Sequence, residues 1–335
     1  MFDWLRRLLF GRFYKADDFA AQATEAQKQY DKYHQPSVLE KTIEHYRSAL
    51  DASGEQHDRY CSILINLAVA LTDLGDIGRG DPKTRYSEPI DLLSTARKFM
   101  ETKSAQERPK NYSIALISLG RLYLNRYREE EADADLQASI EAYKQVRSAS
   151  PPGSFEYCIS LTENAAAIWT SCELQPRADD APRLDEALKF LNEAHEGKHP
   201  QLEGECFKHL AAVHDLLYRE ISTTNLKKAM VHLKSAIEFN QSSVRLLRVR
   251  TADPALSPTL LNLARQQFSK YTAISEKDEA DLRYAEMNCQ EAKALALEKH
   301  GSTELLDKID RLASDIQQYK KTAVLRRGSA DRYKR

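Results

Sequence analysis

The sequence predicts an all-α fold, a right-handed superhelical solenoid built from stacked antiparallel helix pairs. Three observations lead to this prediction. One amphipathic segment recurs along most of the 335 residues, a second kind of helical segment alternates with it, and no strand-like run of alternating polar and apolar residues competes with them. A single pair of such helices is too small to bury its own apolar face, so the pairs are expected to stack.

The recurring segment has the form L-x-x-A-I-x-x-Y-x-x-A, where x is any residue. Its apolar positions fall at +0, +4, +7 and +10, which is one face of an α-helix. Each copy is therefore predicted to be an amphipathic helix with a single buried stripe. Clear copies span 39–49, 136–146, 184–194 and 226–236, and looser copies span 86–96 and 282–292.

The alternating segment carries an apolar residue, a small residue directly after it, and then a bulky residue. A small side chain lets a neighbouring helix approach closely. These small positions lie 52, 46, 45 and 53 residues apart, and such a regular spacing predicts one helix pair per repeat. The small residues are Ala68, Gly120, Ala166, Ala211 and Ala264.

The two segments resemble the two helices of the tetratricopeptide repeat, which carry W-x-x-L-G-x-x-Y and A-x-x-x-F-x-x-A. The first pattern is matched at 67–71 and 119–123, and the second at 187–194 and 229–236. The resemblance covers roughly residues 38 to 300. The repeat is longer than the family's usual period of about 34 residues, and in this it looks closest to the long-period repeats common in fungal proteins of this class. The resemblance implies the fold and says almost nothing about the partner.

Charge is distributed unevenly along the chain. Residues 1–15 carry +3 and residues 320–335 carry +6, while the whole chain carries −1, so residues 16–319 carry about −10. An acidic body with basic ends argues against a broad nucleic-acid-binding face. The predicted organisation is an amphipathic basic segment at 1–15, a helical repeat domain of about five to six pairs at 16–319, and a basic disordered tail at 320–335.

Cysteine usage and hydropathy predict an intracellular protein. The five cysteines are odd in number, widely spaced and without a C-x-x-C pair, which is typical of a reducing compartment. The longest apolar run near the N-terminus, Leu8-Leu9-Phe10, is too short for a secretory signal or a membrane span. We therefore expect a cytoplasmic protein, with the nucleus as the alternative.

One motif raises the alternative of a zinc-dependent hydrolase. The segment His195-Glu196-Gly197-Lys198-His199 matches H-E-x-x-H, in which two histidines one helical turn apart bind zinc beside a catalytic glutamate. Gly197 and Pro200 both disfavour a continuous helix through the motif, and Glu220 is the one tempting third ligand. We therefore interpret this segment as the end of a helix that the glycine terminates.

Other catalytic motifs are absent from the sequence, including G-x-S-x-G, a Walker-type lysine loop and G-x-G-x-x-G after a strand. We therefore predict a non-enzymatic protein that has no catalytic residues, binds no cofactor or metal, and takes no small-molecule substrate. His209, His214 and Trp169 are interpreted as packing residues of the alternating helices.

The resemblance also implies where a protein partner binds. In tetratricopeptide arrays the first helix of each pair lines the concave side, and the residues three before and one after the small position face the groove. The groove predicted in this way is apolar at its N-terminal end and mixed in charge further along, which suits an extended or helical peptide. Some of these side chains could instead pack against the N-terminal helix. The predicted groove residues are Ile65, Val69, Ile117, Arg121, Glu163, Ala167, Lys208, Ala212, Leu261 and Arg265.

A role as a chaperone adaptor is not predicted. Repeats that bind the acidic C-termini of chaperones carry a lysine three before the small position and an asparagine one after it. Only Lys208 fits this pattern, because Asn66, Asn164 and Asn262 lie two before the small position instead.

The two ends of the chain give further expectations. Residues 1–13 form an amphipathic segment that either caps the first repeat, which we favour, or docks on a membrane surface or a partner. The tail contains Leu325-Arg-Arg-Gly-Ser329, whose basic spacing suits basophilic kinases and marks Ser329 as a phosphorylation site. A third functional alternative is a regulatory subunit whose basic termini contact acidic membrane or nucleic acid.

Overall fold

The computed structural model of the chain describes the backbone of most residues. The described ranges are 2–33, 35–55, 59–79, 81, 84–102, 111–178, 180–249, 255–274, 278–298 and 302–332. Within them, the side chains of residues 2–14 and 323–332 are not described.

The described residues fold into thirteen α-helices and contain no β-strand. In chain order the helices are α1 (Phe2–Tyr33), α2 (Pro36–Ser53), α3 (Tyr60–Asp76), α4 (Ser87–Glu101), α5 (Asn111–Glu130), α6 (Asp133–Ala149), α7 (Phe155–Leu174), α8 (Asp180–Glu196), α9 (Pro200–Ile221), α10 (Leu226–Val249), α11 (Leu256–Ala273), α12 (Glu279–Glu298) and α13 (Thr303–Arg332). Each odd-numbered helix up to α11 pairs with the helix that follows it, and α13 packs on the last pair. None of these described helices combines the length and the hydropathy that a transmembrane span requires.

The pair of α5 and α6 shows how the helices pack. Near the end of α5, Arg126 Nε donates to Asp135 Oδ2 at 2.6 Å, directly after the turn. Further back along α5, Gly120 faces the ring of Tyr143, which lies further forward on α6. A β-carbon on this glycine would lie only 2.5 Å from Tyr143 Cε1. The two contacts run in opposite directions along the helices, as an antiparallel pair requires, and the small residue is the place of closest approach.

The small positions have the packing role that the sequence assigns to them. Ala68, Ala166, Ala211 and Ala264 are at most 1% exposed, and Gly120 is buried as well. Antiparallel helix pairs that pack around small residues at this spacing confirm the all-α, tetratricopeptide-like repeat fold.

The chain divides within α7 into two compact units, Met1–Ala167 and Ile168–Arg335. In the first unit, Asn111 of α5 donates to Ser62 Oγ of α3 at 2.8 Å, while Arg47 of α2 donates to Glu88 of α4 at 2.8 Å. The odd-numbered helices therefore form one layer and the even-numbered helices another. One core cluster joins α1, α2 and α3, and its buried side chains are Ala20, Ala23, Tyr30, Leu39, Ile43, Tyr46, Ala49, Ile63, Leu67 and Ala70.

The second unit repeats this layering. Arg265 of α11 donates to Asp215 of α9 at 2.9 Å, and Arg248 of α10 donates to Glu291 of α12 at 2.6 Å. A core cluster joins α10 to α13, and α13 covers the last pair with its buried apolar stripe. The stripe residues are Ile309, Leu312 and Ile316.

The predicted segment boundaries at 15 and 320 both fall inside helices. Helix α1 runs unbroken from Phe2 to Tyr33, and the backbone of α13 continues to Arg332. Lysine and arginine are good helix formers, so a change in charge does not mark a helix end. The side chains of residues 1–13 and of Ser329 lie outside those that the structure describes, so the cap, membrane and phosphorylation expectations remain predictions.

Candidate protein-binding face

In each unit, the candidate binding face is the outward side of the first helices of the pairs, which are α3, α5 and the start of α7 in the first unit and the end of α7, α9 and α11 in the second. In the first unit, part of the predicted groove is interior. The buried members are Ile65, Ile117 and Ala167, at 4%, 8% and 0% exposure. Val69 is 38% exposed, and Arg121 lies on the surface, where its Nε donates to Glu163 Oε1 at 2.8 Å. On α3 and α5 the open side therefore runs through the residues directly after the small positions, whereas on α7 that residue, Ala167, is buried.

Helix periodicity explains which predicted residues are buried on α3 and α5. Positions three residues apart lie on one face of a helix, so on these two helices the residue three before the small position points into the same packed interface as the small residue. Asn66, two before, is accordingly exposed and Ser118 is half-buried, whereas Ile65 and Ile117 are buried. Ile114, about one turn earlier on α5, extends the open face and is 47% exposed. On α7 and α9 the order is reversed, because Asn164 and His209, two before, are buried, whereas Glu163 and Lys208, three before, are half-buried.

In the second unit, the structure brings three predicted residues together in one cavity, which we call the Asp215 cleft. It has a volume of about 140 Å³ and lies among the C-terminal part of α7 and helices α9, α10 and α11. The predicted residues that line it are Lys208, Ala212 and Arg265, while Leu261 packs against the core of this unit. The other lining residues are Trp169, Glu173, Asp215, Leu216, Arg219, Asn240, Asn262 and Gln266.

Two arginines form the charged wall of the cleft by sharing one buried carboxylate. The side chain of Asp215 is 6% exposed, and its Oδ2 accepts from Arg219 Nε at 2.9 Å and from Arg265 Nη2 at 2.9 Å. A buried carboxylate is unfavourable unless it is paired, and breaking such a pair costs about 3–5 kcal/mol. The carboxylate thus fixes two guanidinium groups, one from α9 and one from α11, at the cleft surface.

The aromatic wall is fixed by a second buried polar group. Trp169 Nε1 donates to His209 Nδ1 at 3.1 Å, and His209 is 5% exposed. The acceptor role of Nδ1 places the proton of the neutral ring on Nε2, which lies 3.6 Å from Glu205 Oε2. The same Glu205 oxygen is 2.5 Å from Lys208 Nζ. Trp169 is half-buried and not a full core residue, because it lines the cleft while its indole N–H bonds to the buried His209.

Two buried amides form a further polar part of the cleft lining. Asn240 Nδ2 donates to Gln266 Oε1 at 2.9 Å, and these two residues are 3% and 1% exposed. Buried amides that bond to each other hold α10 against α11 at this point.

The pairing of Asp215 with Arg219 is the feature that sequence reasoning missed. The signal was present, because these two charged residues lie four and eight positions after Ala211 and therefore near the packed face of the same helix. Charged residues on a packed face are rare unless they are paired. Asn262, which lies two before the small position and has no role in the sequence pattern, also lines the cleft.

The H-E-x-x-H segment is not a continuous helix. Helix α8 ends at Glu196, Lys198 has a left-handed φ of 53°, and His199 is extended as the cap of α9, which begins at Pro200. The two histidines consequently do not lie one turn apart on a single helix, which zinc binding by this motif requires. They border a cavity of about 410 Å³. In the part of the chain that the structure describes, no group of three or more His, Cys, Asp or Glu side chains is placed to hold a metal ion.

Comparisons with known proteins found likeness in fold only. No protein-family model and no curated protein sequence matches the chain. The structure of Acl4, an assembly chaperone of RpL4, is 14% identical over 92% of this chain and 99% of that one, with a TM-score of 0.49. The S. pombe nuclear import adaptor Nro1 is 13% identical over 90% and 98%, with a TM-score of 0.40.

A third solved structure is the TPR2AB domain of yeast Sti1 in its pHSP90 complex. It is 17% identical over 90% of this chain and 98% of that one, with a TM-score of 0.27. At these identities and TM-scores, what the three proteins bind does not carry over to this chain.

Proposed function

We propose that this chain is a non-enzymatic interaction scaffold that holds a segment of a protein partner on the outward side of its first helices. The observation that carries the proposal is the construction of the Asp215 cleft. A buried carboxylate and a buried histidine hold two arginines and a tryptophan at the protein surface. A helix array that only needed to pack would be served as well by apolar residues, since buried ion pairs add little net stability. Fixed donors and a fixed aromatic surface are instead what a binding site requires.

The first unit contributes a surface of different chemistry to the proposed role. Val69 and Ile114 are exposed apolar side chains on neighbouring first helices, and Arg121 and Asn66 are polar groups on the same face. A face with scattered apolar anchors and polar groups suits an extended or helical peptide segment.

The turn at 197–199 separates the two histidines of the H-E-x-x-H motif, and this argues against the alternative of a zinc hydrolase. The alternative of a regulatory subunit with basic termini depends on side chains beyond those described, and no observation favours it. The scaffold is therefore the function we propose.

Site-specific photo-crosslinking in lysate of the source organism tests the proposal. A photoreactive amino acid replaces Ala212, which lines the cleft, or Val231, which is 61% exposed on α10 and serves as the control. We expect Ala212 to yield discrete crosslinked proteins that Val231 does not yield. Crosslinks from Val231 alone, or the same background from both positions, would contradict binding on the first helices.

A further inference from the structure

We propose that the Asp215 cleft recognises one glutamate side chain of the partner, with the carboxylate on Arg219 and Arg265 and the methylene groups on Trp169. This inference rests on the proposed function and adds the chemistry of the group that enters the cleft.

The arginine pair is arranged to accept a second anion. Both guanidinium groups contact the same oxygen of Asp215, so two like charges are held close together. A guanidinium carries about five N–H donors in a planar fork. Arg265 contacts the carboxylate through Nη2, which leaves donors for another acceptor, and the fork geometry of arginine matches a carboxylate.

The cleft concentrates cations on an otherwise acidic body. Three cations line it, Lys208, Arg219 and Arg265, and the carboxylates beside them are Asp215, Glu173, which is 4.0 Å from Arg219 Nη1, and Glu205, which is 2.5 Å from Lys208 Nζ. These charges sum to zero, whereas residues 16–319 as a whole carry about −10. The cleft is therefore less negative than the rest of the body, and only the cations at its surface attract an anionic group, at short range.

The size of the cleft selects a single side chain. A volume of about 140 Å³ is well below the roughly 300–1,000 Å³ of ordinary small-molecule sites. Trp169 supplies an apolar wall beside the cations, so a carboxylate at the end of a short aliphatic chain fits both parts of the lining. Glutamate has this combination, whereas a phosphate group is anionic but has no methylene groups to place on the ring.

The emission of Trp169 reports occupancy directly. The chain has two tryptophans, so the full-length Trp4→Phe variant leaves Trp169 as the sole reporter. The probes are poly-L-glutamate and inorganic polyphosphate, titrated at low and at physiological salt. We expect poly-L-glutamate to shift the emission, polyphosphate to do so at least tenfold more weakly, and Arg265→Gln to weaken poly-L-glutamate binding tenfold or more. Arg245→Gln, at an exposed arginine of α10, removes the same charge elsewhere and is expected to change binding less than twofold.

A further variant separates recognition from folding. Arg265→Gln leaves Asp215 with one arginine, so a thermal melt accompanies each titration. Asp215→Asn keeps the shape of the buried side chain and an oxygen that accepts from the arginines, and it raises the charge of the cleft by one. If the arginines bind the anion, this variant binds poly-L-glutamate at least as tightly as the parent, whereas a purely structural role for the pair predicts weaker binding in both variants.

The outcomes also distinguish this inference from the proposed function. An unchanged Trp169 emission, equal responses to the two probes, or equal losses in Arg265→Gln and Arg245→Gln would overturn recognition of glutamate. If crosslinks from Ala212 persist in that case, the scaffold proposal stands with a different partner chemistry. If they are absent as well, both proposals fail.

Discussion

Two histidines meet across the pair of α9 and α10, and their contact depends on protonation. His214 Nδ1 and His232 Nδ1 are 2.9 Å apart, and the ring of His214 stacks on Phe239 at a centroid distance of 5.7 Å. Two neutral imidazoles can share one proton at this distance, but two imidazolium ions would place donor against donor and charge against charge. The helix pair is therefore built around the neutral forms.

Acidification is expected to weaken this unit of the protein. Burial, helped by the charge of His232, lowers the pKa of His214 from 6.5 to about 4. Burial also lowers the pKa of His232, with nearby Lys228 acting in the same direction and Asp185 in the opposite one. Because the lowered pKa values mean that the unfolded chain binds more protons than the folded one at acidic pH, the free energy of unfolding is highest above pH 6.5. It falls as the pH decreases towards 4. We expect a loss of about 1–2 kcal/mol in the free energy of unfolding between pH 7.5 and pH 5, measured by urea denaturation. His214→Phe keeps the stack without a titrating group and should show a shallower pH dependence; an unchanged slope would refute the assignment.

Substitution by alanine is expected to have opposite effects on stability at two helical glycines. In Gly120→Ala the new β-carbon would lie 2.5 Å from Tyr143 Cε1, whereas in Gly204→Ala the nearest atom, Leu246 Cδ1, is 3.9 Å away. We expect Gly120→Ala to destabilise by about 1–3 kcal/mol because it overpacks the helix pair. Gly204→Ala should be neutral or stabilising by up to about 1 kcal/mol through helix propensity. Thermal melts of both variants provide the comparison, and a stable Gly120→Ala protein would mean that Tyr143 can move aside.

At the scale of elements, the sequence predicts helix type and order well, but it predicts less well which side chains of the first helices are exposed. The period of apolar residues fixes which stripe of a helix is buried, and small residues fix where helices approach, so both were readable at Ala211 and Gly120. Which further residues are covered depends on how closely the neighbouring helix packs. Close packing is the reason that Ile65 and Ile117 are buried. The pairing of Asp215 with Arg265 joins residues 50 positions apart and has no local sequence signal.

The turn between α8 and α9 carries a prediction of its own. The sequence predicts that the helix ends at Gly197, and α8 does end directly before it, at Glu196; the left-handed residue of the turn is Lys198, with a φ of 53°. A β-carbon in this conformation costs about 1 kcal/mol, which glycine avoids. Lys198→Gly is therefore expected to raise the free energy of unfolding by about 0.5–1 kcal/mol, and Lys198→Ala, which keeps the β-carbon, to give no gain. Urea denaturation of the two variants decides the point; a destabilised Lys198→Gly protein would contradict the left-handed turn.

At the scale of the whole molecule, the free energy of unfolding is expected to be a sum of contributions from the individual helix pairs and their contacts with neighbouring pairs. Each helix pair in a repeat array contacts mainly its neighbours, so the core is built up locally. Among the described residues, one core cluster joins α1 to α3 and a second joins α10 to α13. A large cavity in one cluster should therefore destabilise mainly the helices that contribute to that cluster.

Hydrogen exchange on a matched pair of core variants tests this locality. Leu39 and Leu260 are both 0% exposed, one in each cluster, and replacing either by alanine removes the same atoms from a packed core. Such a change costs about 2–5 kcal/mol. We expect Leu39→Ala to lower amide protection in α1, α2 and α3 while α11 and α12 keep theirs, and Leu260→Ala to do the reverse. If either variant lowers protection equally in both clusters, unfolding is cooperative over the whole chain, and the sum of local terms is the wrong description of its stability.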